Sequence, residues 1–597
     1  MISLVAAVFL LQPAAPAQQL LDNLRLSLST GSEARVLSKF ARPEDAAYLL
    51  RMAKNRGGLR NVRVAIFPTP PGWGSAPYWA VFHTFQDIES DHDPVHELIR
   101  TEDGLLVGRE VPERLANFNR ITKAAVSARI RETQSSASIT ANLAMQGADA
   151  KKATLFRLND VYRLEVATVN ASPADVVVAG DAVVPEVKEG QVLRAGSLIV
   201  PWTTKPLQNA SFGYSGTVAT TGEDKVNSRL CYLTAWWVPS TARLPHPTNV
   251  TVEGPGDWEI RSEGVLKKSA RNGNRQTVSY ECDLPISYPK IVGGRYRLAG
   301  SLTDRGRLFR AYQFEPVDSA RGRQTVELAA KAVAWMEDRL AKFPFPGYDT
   351  FDAEGYYGIE SYSYTLLEKN IVNRFVSHEI GHTYFGGMAP SAYVVDSWNE
   401  SVTQYVDSVL YLQNADRSLE QGLRSTNLKA PLSVMAEPHD WQGHSYMRGA
   451  FVMRMLEHEI GLDATMKGLK ALVTERTGKE TTWPDLRPVF EKASGRDLAW
   501  FWSQWVTGAE FPNLQIVRWT NETWNGKNQT RVQVRQSGTP SPFRLRYRIR
   551  LTRGPSRKEE EVTMTAPEAT FNVPSDFKPD KVELDVLGYA LVDVEQT

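Results

Sequence analysis

With 597 residues the chain has room for roughly three or four domains with large cores, and its 42% hydrophobic and 23% charged fractions are those of an ordinary globular protein. A formal net charge of +1 gives no reason to expect a nucleic acid or an anionic membrane surface as partner.

Met1 to Ala17 has an apolar run from Ile2 to Leu11, a proline-containing break and Ala15-Pro16-Ala17 as a small-x-small cleavage site. This is the pattern of a secretory signal peptide, although its first residues carry no Lys or Arg. No later stretch reaches ~18 apolar residues, so no integral membrane segment is expected. The expectation is a soluble, exported protein, periplasmic or secreted.

Residues 18–120 read as an additional N-terminal α+β module, with a helix over Pro43 to Lys54 and strands over Val62 to Phe67 and Trp79 to Phe85. His92 and His96 are four apart, but Pro94 lies between them among Asp91, Asp93 and Glu97, which predicts a solvated loop. Over residues 121–300 short β-branched runs recur between Gly, Pro, Asn and Asp turns, among them Val126 to Ile130, Leu155 to Val166 and Thr277 to Cys282. That spacing predicts an antiparallel β-sandwich or saddle. Cys231 and Cys282 fall in this region. A disulfide, worth ~4 kcal/mol in the chain-entropy model, and a pair of buried free thiols are equally compatible with the sequence.

Residues 301–511 turn helical. Val326, Ala329, Val333, Met336 and Leu340 share one helix face ahead of Lys342-Phe-Pro-Phe-Pro-Gly-Tyr348, and a strand is expected over Tyr357 to Tyr362. The next segment, Ile371 to Phe385, is apolar enough and free enough of proline to be a buried helix, and it contains HEIGH. His378 and His382, four residues apart, leave the same helix face one turn apart and can converge on one Zn²⁺ at about 2.0–2.1 Å. Glu379 points roughly 100° around the helix, where it can reach a water at the metal, and is the candidate general base. Gly386-Gly387 stop the helix, and a second amphipathic helix carries Val402, Tyr405, Val406, Val409 and Leu410 inward. Glu400 lies in its first turn and completes a His₂Glu ligand set, which leaves an open position for substrate. A metal there lowers the pKa of water towards ~7 and polarises a carbonyl.

After Pro512 strands return. Phe543, Leu545, Tyr547, Ile549 and Leu551 alternate with Arg544, Arg546, Arg548 and Arg550. Glu559, Glu560 and Glu561 nearby favour a solvated sheet face with cross-strand ion pairs over a nucleic-acid groove.

The HExxH motif followed by Trp398-Asn399-Glu400 resembles the aminopeptidase N-like gluzincin family of zinc metallopeptidases, as a divergent bacterial-type exported member. The intervening residues 383–399 are one fewer than the family's spacing, a change that falls where loop length varies cheaply. The resemblance implies a multidomain α+β fold: N-terminal β-rich domains, a central, mainly helical thermolysin-like domain over residues 301–511 and a small antiparallel β-domain over residues 512–597. It implies one zinc per chain held by His378, His382 and Glu400, with Glu379 as base. Tyr446, in His444-Ser-Tyr-Met-Arg-Gly-Ala450, stands where the family's tyrosine stabilises the tetrahedral intermediate. The strand with Gly358 and Glu360 stands where the family binds substrate, and Glu360 inherits the contact to the free α-amine. Its other motif positions are Tyr357, Ile359 and Ser361. A second amine-binding acid from the β-domain is missing, since Leu233 to Pro239 reads LTAWWVP. The implied activity is release of N-terminal residues from peptides. Two other readings are a zinc hydrolase or endopeptidase without strict need for a free amine, and a non-catalytic binding protein on a gluzincin scaffold. Of the remaining histidines, His439, His444 and His458 are expected in surface or supporting positions.

Overall fold

The computed structural model describes residues 15–55, 58–68, 75–83, 94–111, 119–147, 154–159, 161–173, 177–178, 193–194, 197–200, 207–218, 224–234, 236–241, 244–354, 358–391, 395–413, 430–434, 442–524, 527–585 and 590–595. Most of the expected signal peptide, His92, Tyr357 and His439 lie outside them. The chain divides into two compact units, one of Met1–Ala330 with Pro344–Val376 and one of Lys331–Phe343 with Ser377–Thr597.

The first unit opens with a helix over Ala15–Thr30, whose Leu20, Leu21, Leu24 and Leu28 are buried. They share a core with Val64, Ile66, Phe82 and Leu98 of an antiparallel meander: Arg63–Pro68, Tyr78–His83, Val95–Thr101 and Gly104–Glu110. The expected helix over Pro43 to Lys54 is a 3₁₀ turn, Pro43–Ala46, running into Ala47–Asn55. His96 corrects the expectation of a solvated loop. It is a fully buried strand residue whose Nδ1 lies 3.0 Å from the Gly108 carbonyl oxygen and whose ring meets Phe40 and Phe82 edge-on. Glu97, beside it, turns outward to pair with Arg109. Packing by Phe40 and Phe82, rather than the surrounding charge, decides that His96 is dry.

A nine-stranded sheet follows. Its central run is Tyr162–Val169, Asn209–Thr217, Ser136–Gly147, Asn119–Arg131, His246–Pro255 and Arg275–Ile286, antiparallel except where His246–Pro255 lies parallel to Asn119–Arg131. Alternate residues such as Val126, Ile130, Ile139, Phe212, Val250 and Val278 face one core. Against it packs a four-stranded sheet of Lys225–Val226, Leu230–Leu233, Ile291–Gly294 and Glu259–Ser262, contributing Leu233, Ile260 and Ile291. This is the expected sandwich. Cys231 lies in the smaller sheet and Cys282 in the larger; both are buried free thiols, and burial raises both well above the usual thiol range. A five-stranded mixed sheet completes the unit, in the order Arg297–Asp304, Arg307–Gln313, Gly347–Ala353, Tyr364–Glu368 and Gly358–Glu360. Gly358–Glu360 is its antiparallel edge.

The second unit is helical up to Trp505. It takes up the helix Val372–Tyr384 from Ser377 onward and continues through Trp398–Gln404, Gly449–Ile460, Leu462–Glu475, Trp483–Ser494 and Ala499–Trp505. Gly386, at φ +126°, reverses the chain just after the HEIGH helix. Two segments, Tyr405–Tyr411 and Gln442–Arg448, are π-helical. After them come two small sheets. In Leu545–Arg553 the residues Leu545, Tyr547, Ile549 and Leu551 are fully buried, while Arg546 pairs with Glu561, Arg548 and Arg550 with Glu559, and Arg544 with Glu459. The arginine stripe is an ion-paired face.

Candidate active site

The helix Val372–Tyr384 forms because Val372, Val376, Ile380 and Tyr384 recur at helical spacing and all are buried. That anchoring turns His378 and His382 towards the helix Trp398–Gln404. Gly381 lets the two helices approach, since a Cβ there would come within 2.7 Å of Thr403 Cγ2. The second helix is fixed at its start. The Asp396 carboxylate accepts from the backbone N–H of Trp398 (3.4 Å) and of Trp483 (3.0 Å), and Trp398 Nε1 donates to the Thr481 carbonyl (2.8 Å).

His378 Nε2, His382 Nε2 and Glu400 Oε2 form a triangle with edges of 3.1, 3.3 and 3.5 Å. Ligands about 2.0–2.1 Å from a tetrahedral zinc lie about 3.3–3.4 Å apart, so the triangle has the size of one face of such a site. Glu400 Oε2 is buried with no hydrogen-bond partner although both imidazoles face it, the state of an acceptor whose partner is a shared ion. Burial by itself would raise the Glu400 carboxyl, but His382 and His378 beside it hold it well below the usual carboxylate range. The donor set fits zinc, and among the described residues it is the one His/Cys/Asp/Glu group of this kind.

His382 Nδ1 lies 3.4 Å from both the Phe385 carbonyl and the Thr403 hydroxyl, which orient the ring. His378 Nδ1 is buried without a hydrogen-bond partner, and so is Asp407 Oδ1 on the π-helical segment Tyr405–Tyr411. Burial raises the Asp407 carboxyl, while His378, His382 and the Ser377 hydroxyl act in the opposite sense. Sequence reasoning missed Asp407. The signal was there: an acid seven residues after Glu400, two helical turns on, returns to the same face.

Glu379 is buried on the HEIGH helix. The Tyr446 ring lies 5.7 Å from the His378 ring, centroid to centroid, on the π-helical segment Gln442–Arg448. That segment is tied to the Glu400 helix. The Ser397 and Ser445 hydroxyls are 2.6 Å apart, Ser401 donates to the Ser445 carbonyl at 2.7 Å, and at Gly449 a Cβ would overlap the Ser401 hydroxyl. Nothing in the sequence pattern singled out these serines. His444 is buried with Nε2 2.9 Å from the Pro431 carbonyl oxygen, a supporting position. Thus His378, Glu379, His382, Glu400 and Tyr446 gather in the second unit. Gly358 and Glu360 belong to the first, where Glu360 Oε1 accepts from the Tyr288 hydroxyl at 2.8 Å.

Zinc bound here would supply Lewis-acid polarisation of a carbonyl and a lower pKa for water. The side chains supply the rest: Glu379 can take a proton from water and pass it on, and the Tyr446 hydroxyl can donate to a developing oxyanion.

Residues 359–505 match the Peptidase family M1 domain. Aminopeptidase M1 of Arabidopsis thaliana is 24% identical over 340 residues, which is 50% of this chain and 38% of that protein. Aminopeptidase N of Streptomyces lividans is 25% identical over 187 residues, 28% of this chain and 22% of the relative. Among solved structures, Legionella pneumophila aminopeptidase A in complex with aspartic acid has a similar fold. Its TM-score is 0.65 at 13% identity, over 81% of this chain and 60% of that one. Over residues 359–505 the chain carries a peptidase family M1 domain, and beyond it the chain is similar to aminopeptidases. It spans well under half the length of the curated relatives it matches, 38% of the plant enzyme.

Proposed function

We propose that the chain is a zinc-dependent metallopeptidase that releases N-terminal residues from peptides, with one zinc held by His378, His382 and Glu400. The observation that carries this reading is the buried triangle of two imidazole nitrogens and one carboxylate oxygen, with edges of 3.1 to 3.5 Å. Glu379 serves as general base, Tyr446 stabilises the oxyanion, and Glu360, with Gly358 on the same edge strand, receives the substrate's N-terminal residue. The M1 domain match and the aminopeptidase relatives support the reaction class. An exported location, read from Met1 to Ala17, belongs to the same proposal, and among the described residues no helix is long and apolar enough to cross a membrane.

The test is metal analysis and turnover together. The purified full chain should hold one zinc and cleave amino-acid amides, and a chelator should abolish cleavage until zinc is restored. Absence of zinc, with no activity gained on adding it, defeats the proposal.

A further inference from the structure

The first unit contains a buried cation that the proposed reaction does not use. Lys290 is fixed from both sides of its backbone: its N–H donates to Glu263 Oε2 at 2.7 Å and its carbonyl accepts from Ser262 Oγ at 2.8 Å. Its side chain is 1% exposed. The ammonium lies 4.5 Å from the centre of the Tyr288 ring, donates to the Glu360 carbonyl at 2.5 Å and sits 3.9 Å from Glu360 Oε2. The other carboxylate oxygen, Oε1, is taken by the Tyr288 hydroxyl.

An aromatic face, a carbonyl and a carboxylate are the groups that receive a primary ammonium. Here one lysine meets all three. We propose that Lys290 is a built-in competitor for the substrate's α-ammonium, so that Glu360 discriminates weakly between free and blocked N-termini and the enzyme accepts N-acylated peptides. The proposal rests on the reading in which Glu360 receives the substrate amine, and it makes Lys290 a specificity-determining residue.

The rest of the cluster agrees. The nearby carboxylate of Glu263 is pushed by burial up to about 7, against hydrogen bonds from Ser361 and the Lys290 N–H, so near neutrality it is only partly charged. Glu360 is left as the carboxylate whose charge Lys290 balances. A substrate ammonium arriving at Glu360 must share the carboxylate with a cation already in place, and the two repel.

The experiment is calorimetric binding of L-leucinol and of N-acetyl-L-leucinol, neither of which offers a backbone amide C-terminal to the leucine unit to cleave, to the zinc-loaded full chain. The native protein should bind the two within about tenfold of each other. Lys290→Met should strengthen leucinol binding by about ten- to hundredfold, the worth of a charge-assisted hydrogen bond, and leave the acetylated ligand unchanged. Adding Glu360→Gln should cancel the gain, and Lys290→Arg should keep the native ratio. Lys290→Gln, which retains a donor for the Glu360 carbonyl, provides the same comparison if the Met variant does not fold. A native ratio above tenfold, no gain in the folded neutral variants, or a gain that survives Glu360→Gln overturns the proposal. Hydrolysis of leucine anilide by the same preparations is read separately. Its absence sinks the peptidase reading, while the binding ratios still decide the role of Lys290.

Discussion

Glu379 and Glu400 are both buried carboxylates, and only their surroundings assign them different tasks. Glu400 faces two imidazole nitrogens and is held in its charged form as a ligand. Glu379 follows the first of those histidines on the same helix and is not one of the three grouped ligand residues. Glu379→Gln keeps its size but removes the base, so turnover should fall by ~10²-fold or more with zinc content unchanged. Near-native turnover removes Glu379 from the mechanism. Tyr446→Phe should lower kcat more than it raises KM, because its hydroxyl acts on charge that develops during the reaction; a pure KM effect means its role was misassigned. Asp407 lies close enough to His378 and His382 for their charge to act on its carboxyl. Asp407→Ala should weaken zinc retention by roughly ten- to a hundredfold in a chelator competition, the usual effect of losing an outer partner of a metal ligand. Unchanged retention makes Asp407 only a buried acid.

At the scale of elements, the site depends on how closely three helical segments approach. Gly381 faces Thr403 and Gly449 faces Ser401, and in each case a methyl group meets the neighbouring segment. Gly449→Ala should cost about 1–3 kcal/mol in stability, as overpacking does, and should also weaken zinc binding because it pushes the Tyr446 segment away from the Glu400 helix. Urea denaturation and zinc titration of one variant read both effects; a stability within 0.5 kcal/mol of the parent, by the usual scale for neutral changes, contradicts the close packing. Helical periodicity located the HEIGH helix, Val372–Tyr384, and the helix starting at Trp398 almost to the residue. It did not reveal that Tyr405–Tyr411 and Gln442–Arg448 are wound as π-helix. A π turn closes i→i+5 bonds and brings Asp407 into the buried face, and a segment of seven residues is too short for apolar periodicity to register that change.

Across the whole molecule, two buried groups of the first unit tie stability to pH with opposite signs. Burial lowers His246 from 6.5 to about 4, so the unfolded chain binds more protons in that interval. Its contribution to stability is complete above 6.5 and lost as pH falls towards 4. Burial raises Glu263 from 4.5 to about 7, so its contribution is present below 4.5 and lost as pH rises towards 7. Each shift corresponds to roughly 3 kcal/mol at full extent, and the two slopes oppose each other where the intervals overlap. Glu263→Gln should therefore make stability rise with pH from about 4.5 to 6.5, and His246→Gln should make it fall over the same span. Urea midpoints of both variants at several pH values test this; two profiles parallel to the parent would show that neither group is coupled to folding.

The sequence by itself determined what local pattern and chemical type can carry. The spacing of His378, His382 and Glu400 picked out the three residues that the fold gathers into a group able to hold a metal ion. Alternation in Leu545–Arg553 specified a buried face backed by ion-paired arginines, and short β-branched runs specified the sandwich. Only the tertiary structure decided the partners that come from distant parts of the chain. Lys290 and Tyr288 reach Glu360 across 70 and 72 residues of chain. Asp396 joins the helix start beside it to Trp483, 87 residues on, and Ser445 meets Ser397 across 48. His96 is dry because Phe40 and Phe82 close over it, although its neighbours in sequence are charged. Periodicity reports which side of an element is apolar; which residue stands opposite a given side chain is settled by the packing of elements far apart in the chain, and no local pattern encodes that.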